Sequence, residues 1–228
     1  MTEPGGMTGS LRALTRVSRT PETPVLVLLH GTGGSEQDLL PLADLLLPDA
    51  SVIAPRGPVV EQDGVPRFFR RIPTGGAGPY PFTFDPDEIA LRVDDMAAFL
   101  DEQAARHDLV GRPRIAVGFS NGANLATSLL MLRPDTLAAV IAFAPMPVLT
   151  NPPSRPLDAA GAWLGGGRQD PIAPPTAVED VAAQLTDRGA AVEVTFGGGG
   201  HAITPDLVRA ATAWLTKLTF ATGGMGPP

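Results

Sequence analysis

The chain has 228 residues, a formal net charge of −7 and no cysteine. This length is ordinary for one α/β domain, and the lack of cysteine excludes disulfides, thiolate metal sites and a cysteine nucleophile. The negative charge argues against a nucleic-acid partner, which requires a basic face. Apolar runs are too short to span a bilayer, and the N-terminus does not resemble a signal peptide. We therefore expect a cytoplasmic protein with no nucleic-acid and no membrane partner, and the sequence leaves a homodimer open.

Strand-like and helix-like patterns alternate along the chain, which is typical of a mostly parallel sheet with crossover helices. We predict one doubly wound α/β domain over residues 11–220. The polar and Gly-rich ends, at 1–10 and 221–228, are predicted to be flexible tails.

The first predicted strand is Val25–Leu29, a continuous apolar run typical of a buried central strand. A helix should follow to about Leu47, but Pro41 predicts that it starts late or is kinked. Residues 51–54 form a short predicted strand. Residues 55–84 are rich in Gly and Pro, so we predict an irregular and unusually long connection there.

Asp85 begins a strong predicted helix, because it is a good N-cap and a proline follows it in the first turn. The later predicted elements are, in order, a strand at 114–119, a helix at 121–132, strands at 137–143 and 161–164, a helix at 173–188, a strand at 191–196 and a helix capped by Thr204. Five prolines between residues 145 and 160 exclude a packed helical cap over the sheet. We therefore predict a single domain without a cap domain.

The segment Gly118-Phe119-Ser120-Asn121-Gly122 matches the pattern G-x-S-x-G. In this motif the serine lies on a strained turn between a strand and a helix, and the glycines let neighbouring backbone pass. A β-like run precedes the motif and a helix-like run follows it, which is the setting that the motif requires. We predict that Ser120 is a catalytic nucleophile. The alternative is a Gly-rich turn with an incidental serine.

A serine nucleophile needs a histidine base, and the chain offers His30, His107 and His201. His107 falls near the end of a predicted helix, and His30 is placed to shape a loop. His201 follows the last predicted strand, at the edge where open α/β sheets bind ligands. Asp170 lies between Ser120 and His201 in the chain, which is the order expected for the orienting carboxylate. An exposed loop histidine and a turn aspartate remain the alternatives.

Acyl transfer also needs backbone N–H groups that are aimed at the developing oxyanion. One should come from Asn121, which follows the nucleophile at the positive end of a helix. The second should come from the loop at residues 30–34, where we favour the Thr32 N–H, with Gly33 as the fallback. The alternative, a phosphate-cradling loop, is disfavoured because no lysine follows at the required spacing.

Together, His30-Gly31, the 118–122 motif, Asp170-Pro171 and Gly200-His201 resemble the bacterial phospholipase/carboxylesterase family, which includes the acyl-protein thioesterases. The resemblance covers about residues 20–218. It implies an α/β-hydrolase fold without a lid, a Ser/Asp/His triad and no cofactor.

In that family the second oxyanion N–H comes from the residue after His-Gly, which is Thr32 here. Many relatives carry Gln and Gly where this chain has Asn121 and Ala123, and Leu-Gly-Asp where it has Thr32-Gly33-Gly34. With the segment at 67–71, these residues resemble a bacterial branch associated with hydroquinone or aromatic-compound stress.

Two phenylalanines lie within a basic segment on the long 55–84 connection. We predict that Phe68 or Phe69 lines the substrate pocket, with Met146 as a further wall; the alternative is that these side chains belong to the core. The favoured function is hydrolysis of small carboxylic esters. A thioesterase and a catalytically silent ligand-binding protein are the alternatives. Three scattered histidines and no cysteine predict no metal site.

Overall fold

The computed structural model describes residues 11–20, 23–150, 152 and 155–218. Its strands are β1 (Ala13–Arg16), β2 (Val25–Leu29), β3 (Ser51–Pro55), β4 (Val59–Val60), β5 (Pro66–Arg67), β6 (Ile72–Pro73), β7 (Phe82–Thr83), β8 (Arg114–Phe119), β9 (Ala139–Phe143), β10 (Gly161–Gly167) and β11 (Ala191–Gly197). Its α-helices are α1 (Leu40–Leu46), α2 (Pro86–Arg106), α3 (Asn121–Leu132), α4 (Pro175–Thr186) and α5 (Pro205–Leu215).

The main sheet has seven strands in the order β1-β3-β2-β8-β9-β10-β11. From β3 to β11 every neighbouring pair is parallel, and β1 joins the edge antiparallel to β3. The central strand β8 places Gly118 opposite Leu29 of β2 and Phe119 opposite Phe143 of β9. The carboxyl ends of these strands therefore meet at one edge of the sheet.

Helices cover both faces of the sheet, because successive strand residues point to opposite sides. Val25, Val27 and Leu29 of β2 belong to the apolar cluster that includes α2, α3 and α4. Leu26 and Leu28 belong to the cluster that includes α1 and α5. The prediction of a doubly wound, mostly parallel α/β sheet is confirmed.

The first helix starts late, at Leu40, with Pro41 in its first turn. Proline is tolerated there because the first N–H groups of a helix have no intrahelical acceptor. The Ser35 hydroxyl donates to the Asp38 carboxylate at 2.6 Å instead of capping the helix.

Two features of the fold were not predicted. Strand β1 has four half-buried residues and lacks the long apolar run that marked the central strands. The 55–84 connection contains two small antiparallel hairpins, β4–β5 and β6–β7, each made of strands only two residues long. Such short strands carry no readable periodicity.

No helix among the described residues is long and apolar enough to cross a membrane. The predicted tails at 1–10 and 221–228 lie outside the described residues.

Candidate active site

The turn between β8 and α3 holds Ser120 in a backbone conformation that side chains rarely adopt, with φ of 53° and ψ of −116°. Such strain costs on the order of 1–3 kcal/mol and persists where the surroundings enforce it. A Cβ on Gly118 would lie 2.6 Å from the Ala123 nitrogen, and one on Gly122 would lie 2.0 Å from the Leu29 oxygen. Both glycines are therefore required for the turn to fit between the strands.

Ser120, His201 and Asp170 come together at the carboxyl edge of the sheet. The His201 Nε2 lies 2.9 Å from the Ser120 Oγ, and the His201 Nδ1 lies 2.7 Å from the Asp170 Oδ2. The other Asp170 oxygen accepts the backbone N–H groups of Ile172 and Ala173, at 2.8 and 2.9 Å. The buried carboxylate is thus fixed on both of its oxygens.

Backbone contacts between two loops set the spacing of Asp170 and His201. The Arg168 N–H donates to Gly197 O at 3.0 Å, and the Gln169 N–H donates to Gly199 O at 2.8 Å. A Cβ on Gly167 would lie 2.3 Å from the Gly200 oxygen, so the loops approach too closely for a side chain there. The loops after β10 and β11 are therefore held against each other by their own backbone contacts.

The N–H groups of Thr32 and Asn121 are the pair predicted to form an oxyanion hole. Within the described part of the chain, neither the Thr32 nor the Asn121 N–H has a hydrogen-bond acceptor. The fallback donor Gly33 is occupied, because its N–H donates to Pro66 O at 2.8 Å. Asn121 is also the first residue of α3, where the helix dipole favours negative charge.

This arrangement can activate a hydroxyl group. An imidazole within hydrogen-bond distance of a serine can accept its proton, and a carboxylate on the second ring nitrogen holds the required tautomer. Among the described residues, no group of three or more His, Asp or Glu side chains could hold a metal ion.

Known proteins resemble this chain over most of its length. MhqD of Bacillus subtilis (strain 168), named as a hydrolase, is 37% identical over 190 residues, which cover 83% of this chain and 91% of the relative. The Bacillus cereus carboxylesterase structure superposes with a TM-score of 0.85 at 33% identity, covering 92% of this chain and 95% of the relative.

A carboxylesterase structure from Mesorhizobium loti matches with a TM-score of 0.78 at 29% identity, covering 92% of this chain and all of the relative. The family model Hydrolase_4, serine aminopeptidase S33, matches residues 83–169. The chain is an α/β-hydrolase of the phospholipase/carboxylesterase family.

The two other histidines of the hydrolase have different surroundings. His30 is buried, donates from Nδ1 to Gly31 O at 2.6 Å and accepts the Gly57 N–H on Nε2 at 2.9 Å. Burial lowers the pKa of His30 and so favours the neutral ring. The neutral ring makes the two hydrogen bonds that hold its loop. His107 caps the C-terminus of α2, before β8 begins, and so belongs to the opposite edge of the sheet.

The side chain of Asn121 forms a clamp on the segment at residues 66–69, which sequence reasoning missed. Its Oδ1 accepts the Phe68 N–H at 2.8 Å, and its Nδ2 donates to Phe69 O at 3.1 Å. Because Pro66 O in the same segment accepts the Gly33 N–H, the clamp links both sides of the candidate oxyanion hole. The sequence shows an amide directly after the nucleophile, but its burial is visible only in the structure.

The three residues predicted to line the pocket lie in the core. Phe68 and Phe69 are 1% and 0% exposed, and Met146 is 4% exposed. Phe68 packs on the His30 ring and Phe69 packs edge-on against Phe84. This burial favours the core alternative, and a pocket role for these residues stays a prediction.

The backbone of Met146 is hydrogen-bonded to α3, the helix that follows Ser120. Its N–H donates to the Oδ1 of Asn124 at 2.8 Å. Asn124 lies between apolar residues in a helix that is buried almost throughout, and it was not predicted.

Proposed function

We propose that this hydrolase cleaves small carboxylic esters through a Ser120-His201-Asp170 triad and an acyl-enzyme intermediate. The supporting observation is the continuous hydrogen-bond chain from the Ser120 Oγ through the imidazole to Asp170, at 2.9 and 2.7 Å. These distances lie within the range in which a base can take the proton of a nucleophile.

In the first half of the proposed reaction, the Ser120 Oγ attacks the ester carbonyl carbon while its proton passes to the His201 Nε2. The imidazolium is stabilised by the negative carboxylate of Asp170. The carbonyl oxygen becomes an oxyanion and is bound by the Thr32 and Asn121 N–H groups. Collapse of this intermediate breaks the ester C–O bond, and His201 returns the proton to the leaving alcohol.

In the second half, a water molecule takes the place of the alcohol. His201 accepts one water proton as the oxygen attacks the acyl carbon, and collapse releases the carboxylic acid and restores Ser120. Each half therefore uses one histidine as base and then as acid.

Carboxylesterase relatives favour an oxygen ester over a thioester, although the same triad can serve a thioesterase. The third candidate, a catalytically silent ligand-binding protein, would have no need for a strained serine aimed at an imidazole.

A fluorophosphonate probe tests the proposal directly, because it labels only an activated serine. We expect stoichiometric labelling of the wild type and none of Ser120→Ala. Turnover by the variant should fall by roughly 10⁴ to 10⁶. A panel of matched esters, thioesters and amides then identifies the preferred bond. An unlabelled wild type, or a Ser120→Ala variant with near-normal turnover, would refute the mechanism.

A further inference from the structure

A hollow of about 990 Å³ lies outside the candidate triad, in the 55–84 connection. Four arginines line it, in a chain whose net charge is −7: Arg67, Arg70, Arg71 and Arg92. The hollow is of the size that small-molecule sites reach. The position of the carboxylates that face these arginines decides whether the hollow can bind an anion.

Arg67 is the innermost of the four. Its side chain is 5% exposed, and its two terminal nitrogens form ion pairs with the carboxylates of Glu61 and Asp63. Its backbone lies so close to Gly57 that a Cβ there would be 2.5 Å from the Arg67 carbonyl carbon. Arg67 is therefore a fixed part of the wall, and its two carboxylate partners carry one more charge than it does.

Two further arginines are also neutralised, by carboxylates on α2. Arg92 pairs with Asp95 at 3.0 Å. Arg70, on the exposed side, lies 3.7 Å from Glu88. Neither residue brings an unbalanced charge into the hollow.

Arg71 is the exception among the arginines of the hollow. Within the described part of the chain it forms no ion pair with a carboxylate, and its guanidinium lies 4.7 Å above the Phe82 ring. Its Nε is buried without a hydrogen-bond partner among the described residues. Burial lowers the pKa of Arg71, and the positive charge of Arg67 lowers it further, more than Asp63 and Glu61 compensate. Because arginine stays protonated, Arg71 carries a positive charge that no direct ion pair meets, although the second carboxylate beside Arg67 balances it from farther away.

A guanidinium stacked on an aromatic ring keeps its edge free for a planar, bidentate partner. Carboxylate and phosphate groups have the geometry that matches this edge. We propose that the hollow is an anion-binding site in which Arg71 holds the carboxylate or phosphate group of a small molecule. Phe82 and Val60 supply the apolar wall on which the body of such a ligand can pack.

This site is close to the candidate oxyanion loop in the structure. The segment between Asp63 and Arg67 contacts that loop through Pro66 O, which accepts the Gly33 N–H, and through Val65, which would lie 3.3 Å from a Cβ on Gly33. Anion binding does not depend on the proposed ester hydrolysis, so it can be measured without any substrate.

Calorimetric titration with inorganic phosphate and with succinate, at constant ionic strength, tests the proposal. Phosphate binding alone indicates a phosphate ligand, and succinate binding alone indicates a carboxylate. We expect Arg71→Gln to weaken binding at least tenfold. Arg106→Gln is the matched control, because it removes one positive charge from the end of α2, where Arg106 pairs with Glu102. Its affinity should equal that of the wild type.

A second measurement uses the wild type alone. The Nε–H resonance of Arg71 should shift on titration with the bound anion, while that of Arg106 stays in place. The anion should also raise the Tm of the wild type and of Arg106→Gln, but not that of Arg71→Gln. The proposal is wrong if neither anion binds, if both variants bind equally well, or if the Arg71 resonance does not move.

Discussion

The carboxyl edge of the sheet and the 55–84 connection are held in place by different interactions. At the sheet edge, the candidate triad residues follow parallel strands, and backbone hydrogen bonds join the loops after β10 and β11. The connection has only short hairpins and is held mainly by single side chains, such as those of Asn121 and His30, with a backbone bond from Gly33 to Pro66 O. The candidate triad is thus carried by the sheet, whereas the surrounding wall depends on individual contacts.

The largest effect should follow from removing a group at the sheet edge. We expect His201→Asn to lower esterase kcat by roughly 10⁴-fold or more, because among the described residues His201 is the base that contacts the Ser120 hydroxyl. Steady-state kinetics on a short p-nitrophenyl ester measures this loss.

His107→Asn is the matched control, since His107 lies at the opposite edge of the sheet. It should retain wild-type kcat. If the His107 variant were the inactive one, the assignment of the base would be wrong.

An intermediate loss of kcat should follow when the Asn121 side chain can no longer hold the 66–69 segment. In Asn121→Asp the side-chain shape is kept, but the donor to Phe69 O becomes a second acceptor. The 66–69 segment should shift away, and with it the Gly33 contact that shapes the Thr32 loop. Misplacement of about 1 Å can cost 10²-fold, so we expect kcat to fall about 10- to 100-fold with little change in KM.

Asn124→Asp provides a control in the same helix. It also introduces a buried acid, but its Oδ1 still accepts the Met146 N–H, so no contact with the 66–69 segment is lost. Its kcat should stay within a few-fold of the wild type. Equal losses in the two variants would mean that burial of charge, and not the clamp, is responsible.

A smaller effect concerns the apolar surface around Ser120 and should appear in how kcat/KM changes with acyl-chain length. The five prolines between residues 145 and 160 exclude a helical cap, so an acyl chain has limited apolar surface to bury. A further methylene contributes about 0.8 kcal/mol only where such surface exists. We expect kcat/KM for p-nitrophenyl esters to peak at about two to six acyl carbons. A profile that still climbs at dodecanoate or palmitate would require a deep apolar channel.

The same contrast explains how much could be predicted from the sequence. Ser120, Asp170 and His201 could be placed together because each follows a strand, and parallel strands end at one edge. The turn glycines were recognisable because the motif implies a close approach of backbone segments. The structure agrees, since a Cβ added to Gly122 would lie 2.0 Å from the Leu29 oxygen.

The connection could not be predicted in this way. The amide clamp joins residues 53 positions apart, and the His30 ring bonds to Gly57, 27 positions away. No periodicity encodes such contacts, because they depend on single polar atoms meeting after the sheet has formed. The β4–β5 and β6–β7 hairpins could not be predicted either, because strands of two residues show no periodic pattern.

The smallest expected effect is on stability and comes from the histidine that fastens the connection. Burial lowers the pKa of His30 below its ordinary value of 6.5, and the nearby charge of Arg56 adds to this. The Gly31 carbonyl, Asp38 and Glu36 oppose the shift without reversing it. The unfolded chain therefore binds a proton at His30 at a higher pH than the native protein does.

It follows that the contribution of His30 to the free energy of unfolding is present above pH 6.5 and is lost as the pH falls through the lower pKa of the folded state. One proton gives a slope of at most about 1.4 kcal/mol per pH unit. Urea denaturation between pH 5 and 8 should show this slope in the wild type and in His107→Asn. In His30→Asn the overall stability should drop, because the bond to Gly57 is lost, and the slope below pH 6.5 should flatten. A slope that survives the substitution would assign the acid sensitivity to carboxylates instead of to the buried imidazole.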